Sequence, residues 1–454
     1  MPARAHPAAA SSWFLLAGVG ASLVAACYGF ARYAYGLFAP EISASFGLGA
    51  TGVGVLAGLS TAGYALGLLA APAASARSAR GAALGAGGLA TAGLALMGLS
   101  PTGVLDEVTL GAVPPVVLFA AGLALAGSSA GLVSPAVAQL VTETVLPAAR
   151  SAAQTWANTG TSFGLALSAF TPLLGLGWGA VWLGFAGVTA VVSLIAQRRL
   201  PRRRTAPASA SESAAAPEPS GPAAEPRLVP GLGPLLANAL LFGLISAPFW
   251  TFFPTRVLET GGSQLTVMAC WFTVGAVGPL GGFAGRATDR FGLRATNLAT
   301  WTLWALGLAL LALPAPGPLG LAVAAALCGA SYMAVTGLCI VWGARLYPTL
   351  AVRGVTAAFL ALGVGQIVGS LLAGALADAL GLGAVFALAA LAGLAVWAQL
   401  TDRLAPPRES RSEEPAVPGA GPRPAAGPRP ATGTCTASAL RRTLGVGQAS
   451  AYQR

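Results

Sequence analysis

Long apolar runs, following one another with almost no charge inside them, constrain this chain more than any other feature. From Trp13 to Pro40 there is a single charged residue, Arg32. A run of about 20 apolar residues crosses ~30 Å of hydrocarbon as a helix, and twelve such runs can be drawn. Six lie near 13–40, 48–71, 81–99, 112–140, 150–173 and 175–196, and six near 230–254, 264–284, 296–314, 317–343, 354–377 and 380–400. Only 9% of the 454 residues are charged, against about 25% in soluble domains, so most of the surface faces something other than water. The expected fold class is an all-α membrane protein with twelve transmembrane helices.

The basic residues place the chain across the membrane. All 25 are arginine. With both termini cytoplasmic, 23 fall on inside segments, leaving Arg256 outside and Arg32 within a span. Such asymmetry follows the positive-inside rule. It also accounts for the net charge of +11 without invoking nucleic acid. The expected location is the cytoplasmic (inner) membrane of a bacterium.

Composition divides the chain into a cytoplasmic N-terminal tail (1–12), a six-helix bundle (13–196), a linker (197–229), a second six-helix bundle (230–400) and a cytoplasmic tail (401–454). After its basic start at Arg198–Arg204, the linker is alanine, proline, serine and glutamate; it and the tail read as disordered. The bundles share weak but ordered features. FAPE ends the first span and FFPT the seventh. Pro40 precedes Arg77 by 37 residues and Pro254 precedes Arg290 by 36, while Gly160-x3-Gly164 in the fifth span matches Gly365-x3-Gly369 in the eleventh. Two pseudo-symmetric bundles with a site between them, near the midplane, is an architecture of secondary transporters.

The loop between the eighth and ninth spans reads GRATDRFGLR. It resembles the signature loop of the major facilitator superfamily, G-x-x-x-D-R-x-G-x-R, at Gly285, Asp289, Arg290, Gly292 and Arg294. The first-half counterpart, PAASARSARG, keeps Arg77 and Arg80 but has Ala76 in place of the acid. RYAYGLFAPEISASFGL, CGASYMAVTG and GVGQIVGSLLAGALAD are similar to a bacterial subgroup near the cyanate and nitroimidazole-type carriers. The resemblance spans residues 13–400 and implies the major facilitator fold, with the first and seventh spans lining a central path.

Within the loop, Gly285 and Gly292 would permit a tight turn. By the family's pseudo-symmetry, Asp289 would face the start of the fifth span and pair with Arg150, latching the cytoplasmic end when the other end is open. Arg290 and Arg294 either join this latch or act as inside-positive anchors.

Arg32 asks for a reason. A cation near a helix centre costs ~2.5–3.5 kcal/mol on insertion scales, and Arg32 lies ~12 Å below the outer helix end at 1.5 Å per residue. Snorkelling toward Glu41 is one reading. The other starts from Tyr28, Arg32 and Tyr35, whose i, i+4, i+7 spacing puts them on one helix face as the wall of a polar cavity. There a guanidinium would hold a carboxylate through paired hydrogen bonds. Asn158 and Trp250 are the further substrate-binding candidates; Gln154, Trp156, Thr159, Asn238, Ser246 and Thr251 read first as packing.

No acid lies mid-membrane to receive a cation. Glu41, Glu259 and Asp378 sit at outer span ends, and Glu143 and Asp289 near the inner face. The only histidine, His6, is in the N-terminal tail. Neither a nucleophile–base set nor a cofactor, metal-ligand or nucleotide-binding motif is found, so an enzyme and a nucleotide-driven pump are disfavoured. The expectation is a monomeric secondary transporter of a small solute, with an organic anion preferred and proton coupling open. Efflux of apolar drug-like compounds is the alternative, and a transporter-like sensor the alternative from another class.

Overall fold

The computed structural model describes residues 7–104, 111–201, 229–347 and 351–400, with no strand among them. Most of the linker, the tail from 401 and the first six residues lie outside the described residues, and with them most of the expected disordered segments.

Twelve spans can be traced among the described residues. Nine helices among the described residues are long and apolar enough to cross a membrane, and three more complete the number. Ala50–Leu99 has 50 residues, ~75 Å at 1.5 Å per residue, too long for one crossing. Ser78, in extended backbone (φ −165°, ψ 107°), divides it into the second and third spans. Pro147–Ser168 is the fifth, more polar because Gln154, Thr155, Asn158 and Thr159 interrupt it. Leu382–Leu400 is the twelfth.

The first span runs through Pro7–Val24, a π-helical segment Ala25–Tyr33 and Ala34–Phe46. Pro115–Thr144 and Trp178–Arg199 complete the first bundle. In the second, Leu232–Glu259 is the seventh span. The eighth joins Gln264–Val277 to Ala284–Phe291 through a 3-10 turn. Leu293–Ala312, Gly317–Leu346 and Ala351–Leu380 are the ninth to eleventh.

Glycine sets how closely these helices approach. A methyl group added at Gly160 or Gly164 of the fifth span would run into the carbonyls of Ala21 and Ala25 in the first. Gly365 and Gly369 of the eleventh meet Leu240 and Leu244 of the seventh in the same way. The matched glycine pairs thus make equivalent contacts in the two bundles, small residues letting backbones pack where lipid gives no hydrophobic drive. Two arginines, Arg256 buried and Arg80 half-buried, close helix ends. Arg256 donates to the Leu311 and Leu313 carbonyls at 2.8 and 2.9 Å, and Arg80 to Leu200 and Gln197. Each satisfies carbonyls left free at a helix C-terminus.

The bundles meet unevenly along their seam. Asp378, near the end of the eleventh span, accepts from the amides of Ala50 and Thr51 at 2.8 Å each. It thereby caps the N-terminus of the second span from the opposite bundle. Trp271 Nε1 donates to Ser168 Oγ at 3.2 Å, joining the eighth span to the fifth. Arg32–Gln366 and Tyr33–Tyr332 join the bundles near mid-span. Among the described residues every hydrogen bond between the bundles lies from mid-span toward the Asp378 end, and none toward the Asp289 end.

Candidate functional site

The site begins with a local departure from the α-helix. In AACYGFARY, Ala25 to Tyr33, the amide of Ala34 reaches back to the Gly29 carbonyl, five residues away. Gly29 packs directly on the backbone of Gly164, a contact no larger residue allows. Single π turns inside helices recur at functional sites. The wider turn changes which side chains share a face. Tyr28 and Tyr33 come together with centroids 6.2 Å apart, and Tyr33, off the stripe by α-helical spacing, stands beside Arg32.

Arg32 is buried, 7% exposed. Its guanidinium carbon sits 3.7 Å from the centre of the Tyr64 ring and 5.3 Å from that of Tyr33. Nη2 donates to Gln366 Oε1 at 2.9 Å. Among the described residues the ion pairs are Arg256–Glu259 and Arg345–Asp289, and Arg32 meets no carboxylate. A hydrogen bond to a charged group contributes about 1.5–3 kcal/mol and a cation–π contact about 0.5–2 kcal/mol. Together they match the lower insertion cost of ~2.5–3.5 kcal/mol, so the cation is tolerated while its charge stays unneutralised.

A cavity lies beside it, lined by Arg32, Tyr33, Trp250, Ser60, Thr251 and Gln366 among others, with about 40 Å³ open to water. That is room for a few water molecules. Residues of both bundles form its wall. Tyr33 packs on Trp250 at 4.3 Å between centroids, and Trp250 on Tyr332 at 4.8 Å. No carboxylate and no histidine is in the lining.

The expected residues separate accordingly. Arg32, Tyr35 and Trp250 line the cavity. The hydroxyl of Tyr35 is committed to the Val53 carbonyl at 2.9 Å. Tyr28 stands behind Arg32, its ring centre 6.0 Å from the guanidinium and its hydroxyl 3.4 Å from Ser134 Oγ. Asn158 is not among the lining residues; it is exposed and accepts from Gln154 at 3.1 Å. Gln366, Tyr64, Tyr33, Tyr332 and Ser60 had not been expected. They are ordinary polar or aromatic residues in apolar helices: Tyr33 comes into the group through the π-helical turn, and only the packing of other spans brings Gln366, Tyr64, Tyr332 and Ser60 to the site.

The signature loop shows a similar mixture. Gly292 has φ +84°, as a sharp turn between helices requires. Gly285 lies inside helix Ala284–Phe291, so the turn rests on Gly292 alone. Asp289 accepts from Arg345 at 2.9 Å, at the end of the tenth span in its own bundle. Arg150 Nε donates to the Val145 carbonyl at 2.9 Å. The expected Asp289–Arg150 pair is therefore not made in this conformation, in which the bundles are joined from mid-span to the opposite end. Arg290 lies over the Phe291 ring at 5.4 Å, and Arg294 is exposed.

A family model described as "Uncharacterised MFS-type transporter YbfB" matches residues 24–402. Among solved structures, the inward-open xylose transporter XylE from E. coli superposes with a TM-score of 0.65 at 13% identity, over 88% of this chain and 98% of that one. A D-xylose-proton symporter gives 0.62 at 17%, over 84% and 97%. The nucleoside transporter NupG gives 0.60 at 12%, over 87% and 99%. At these identities the likeness is one of fold. No curated protein sequence matches.

Proposed function

We propose that this chain, which belongs to the MFS-type transporter family and is thereby a secondary transporter, carries a small organic anion by alternating access around Arg32. One observation carries the reading: a buried guanidinium, unpaired with any carboxylate among the described residues, on the wall of a cavity between the two bundles. Positive charge with no acid beside it favours anions over cations, and the planar fork of donors suits a carboxylate. The kinship with cyanate and nitroimidazole-type carriers belongs to this reading and rests on the sequence stretches quoted above.

Orientation follows from the arginines: the Asp378 end faces outward and the Asp289 end faces the cytoplasm. The described conformation is then shut outside. In the opposite state, Asp289 and Arg150 approach as the outer contacts of Asp378 part. With no acid in the cavity lining, proton coupling runs through Glu41 at the outer end, or the anion brings its own proton; exchange and facilitated diffusion fit the site equally.

The aromatic wall of Tyr33, Trp250 and Tyr332 supports a second reading, efflux of apolar drug-like compounds. Replacing Arg32 separates the two. Flux of small carboxylates into proteoliposomes should fall roughly tenfold to a hundredfold in Arg32→Gln, the worth of a hydrogen bond to a charged group. Arg32→Lys should recover little, because a point charge lacks the fork. Unchanged carboxylate flux sinks the anion reading, and drug efflux that survives both substitutions selects its rival.

A further inference from the structure

Gln366 holds both ends of its carboxamide in fixed company. Oε1 accepts from Arg32 across the seam at 2.9 Å. Nε2 donates to Tyr332 OH at 3.1 Å and lies 3.4 Å from Ser246 Oγ, both in its own bundle. A guanidinium only donates, so the amide must turn its oxygen to Arg32. The side chain is 4% exposed and lines the cavity. A neutral oxygen thus occupies the position on the cation that an anion would take.

Two other cavity-lining residues have polar atoms with nothing to bond. Ser60 Oγ and Trp250 Nε1 are buried without a partner among the described residues, a costly state for either group. Indole N–H is a donor only, and a hydroxyl donates as readily as it accepts. The lining therefore combines one unneutralised cation, two unused polar groups and no competing carboxylate.

We propose that Gln366 Oε1 is a placeholder which the transported anion displaces from Arg32, with Ser60 and Trp250 donating to the same anion. This rests on the organic-anion reading above and narrows it to compact, singly charged carboxylates, one negative charge against one guanidinium in a cavity of this size. The exchange is downhill because a carboxylate adds to the charge-assisted bond that Gln366 already accepts both an opposite full charge and a second oxygen for the guanidinium fork. It also opens one of the polar links between the bundles, so binding loosens the seam at the site itself. Glutamine serves here where glutamate would not, since a fixed carboxylate would neutralise Arg32 permanently.

The test installs that carboxylate. In full-length protein, Gln366→Glu should melt a few degrees above wild type at pH 8. The gain belongs to the ionised carboxylate paired with Arg32, so it should disappear when lower pH protonates the new acid. The double variant Arg32→Gln/Gln366→Glu should show no gain. A Gln366→Met protein, freed of its internal acceptor, should be stabilised more than wild type by sodium formate, with sodium chloride as control. A Gln366→Glu protein no more stable than wild type at pH 8, or a gain that survives loss of Arg32, overturns the proposal. So does a formate response in Gln366→Met that is no larger than in wild type. Transport is read separately: no carboxylate flux in wild type alongside an Arg32-dependent gain in Gln366→Glu sinks the anion-carrier reading and leaves the exchange standing. Normal flux alongside an unstabilised Gln366→Glu does the reverse.

Discussion

The face of the Tyr64 ring, 3.7 Å from the Arg32 guanidinium, does work that a carboxylate does elsewhere. It favours the cation without neutralising it, leaving the charge available to a ligand. Tyr64→Leu should cost about 0.5–2 kcal/mol, read as a lower melting temperature, and Tyr64→Phe, which keeps the ring, should cost much less. Equal losses in the two would show that the hydroxyl matters and the π face does not. Arg32 itself was legible in the sequence, because a lone cation in an apolar run violates the cost of burial and demands a cause. Its neighbours were only half legible. α-Helical spacing selected Tyr28 and Tyr35, and the π-helical segment brings Tyr33 into the group as well; nothing in AACYGFARY announces an extra residue in the turn. Gln366 left no local signal either, since it lies 334 residues away and its meaning comes from what it touches.

At the scale of elements, the spans themselves were written plainly in hydropathy, because each helix must satisfy its own backbone in lipid. The glycine pairs of the fifth and eleventh spans were visible as motifs, yet their partners, the carbonyls of the first and seventh, emerge only from packing. Asp378 was expected merely to sit at an outer end. In the structure its two oxygens cap the free amides of the second span from the other bundle, where a negative charge also suits the helix dipole. Asparagine offers one acceptor oxygen where aspartate offers two and carries no charge. Asp378→Asn should therefore shift spin labels at Gly47 and Gly381 toward longer separations. Asp289→Asn or Arg150→Ala should shift them toward shorter ones by weakening the opposite state. Unmoved distance distributions in all three would remove both ends from the gating account.

For the whole molecule, a fold of two similar bundles puts the proposed site at their seam, and the family match over 24–402 covers both. Sequence repeats and the signature loop disclosed that plan. The conformation was not disclosed, because on the alternating-access reading proposed above two states of one sequence would share every local preference and differ only in which end of the seam is joined. The central claim is that the seam holds a small carboxylate through Arg32. Binding to the folded state raises the melting temperature by mass action, so purified wild type and Arg32→Gln can be screened side by side against small carboxylates and hydrophobic cations. Stabilisation of wild type by a carboxylate, absent in the variant, is the predicted result; indifference of both proteins to every carboxylate, with equal stabilisation by hydrophobic cations, contradicts it.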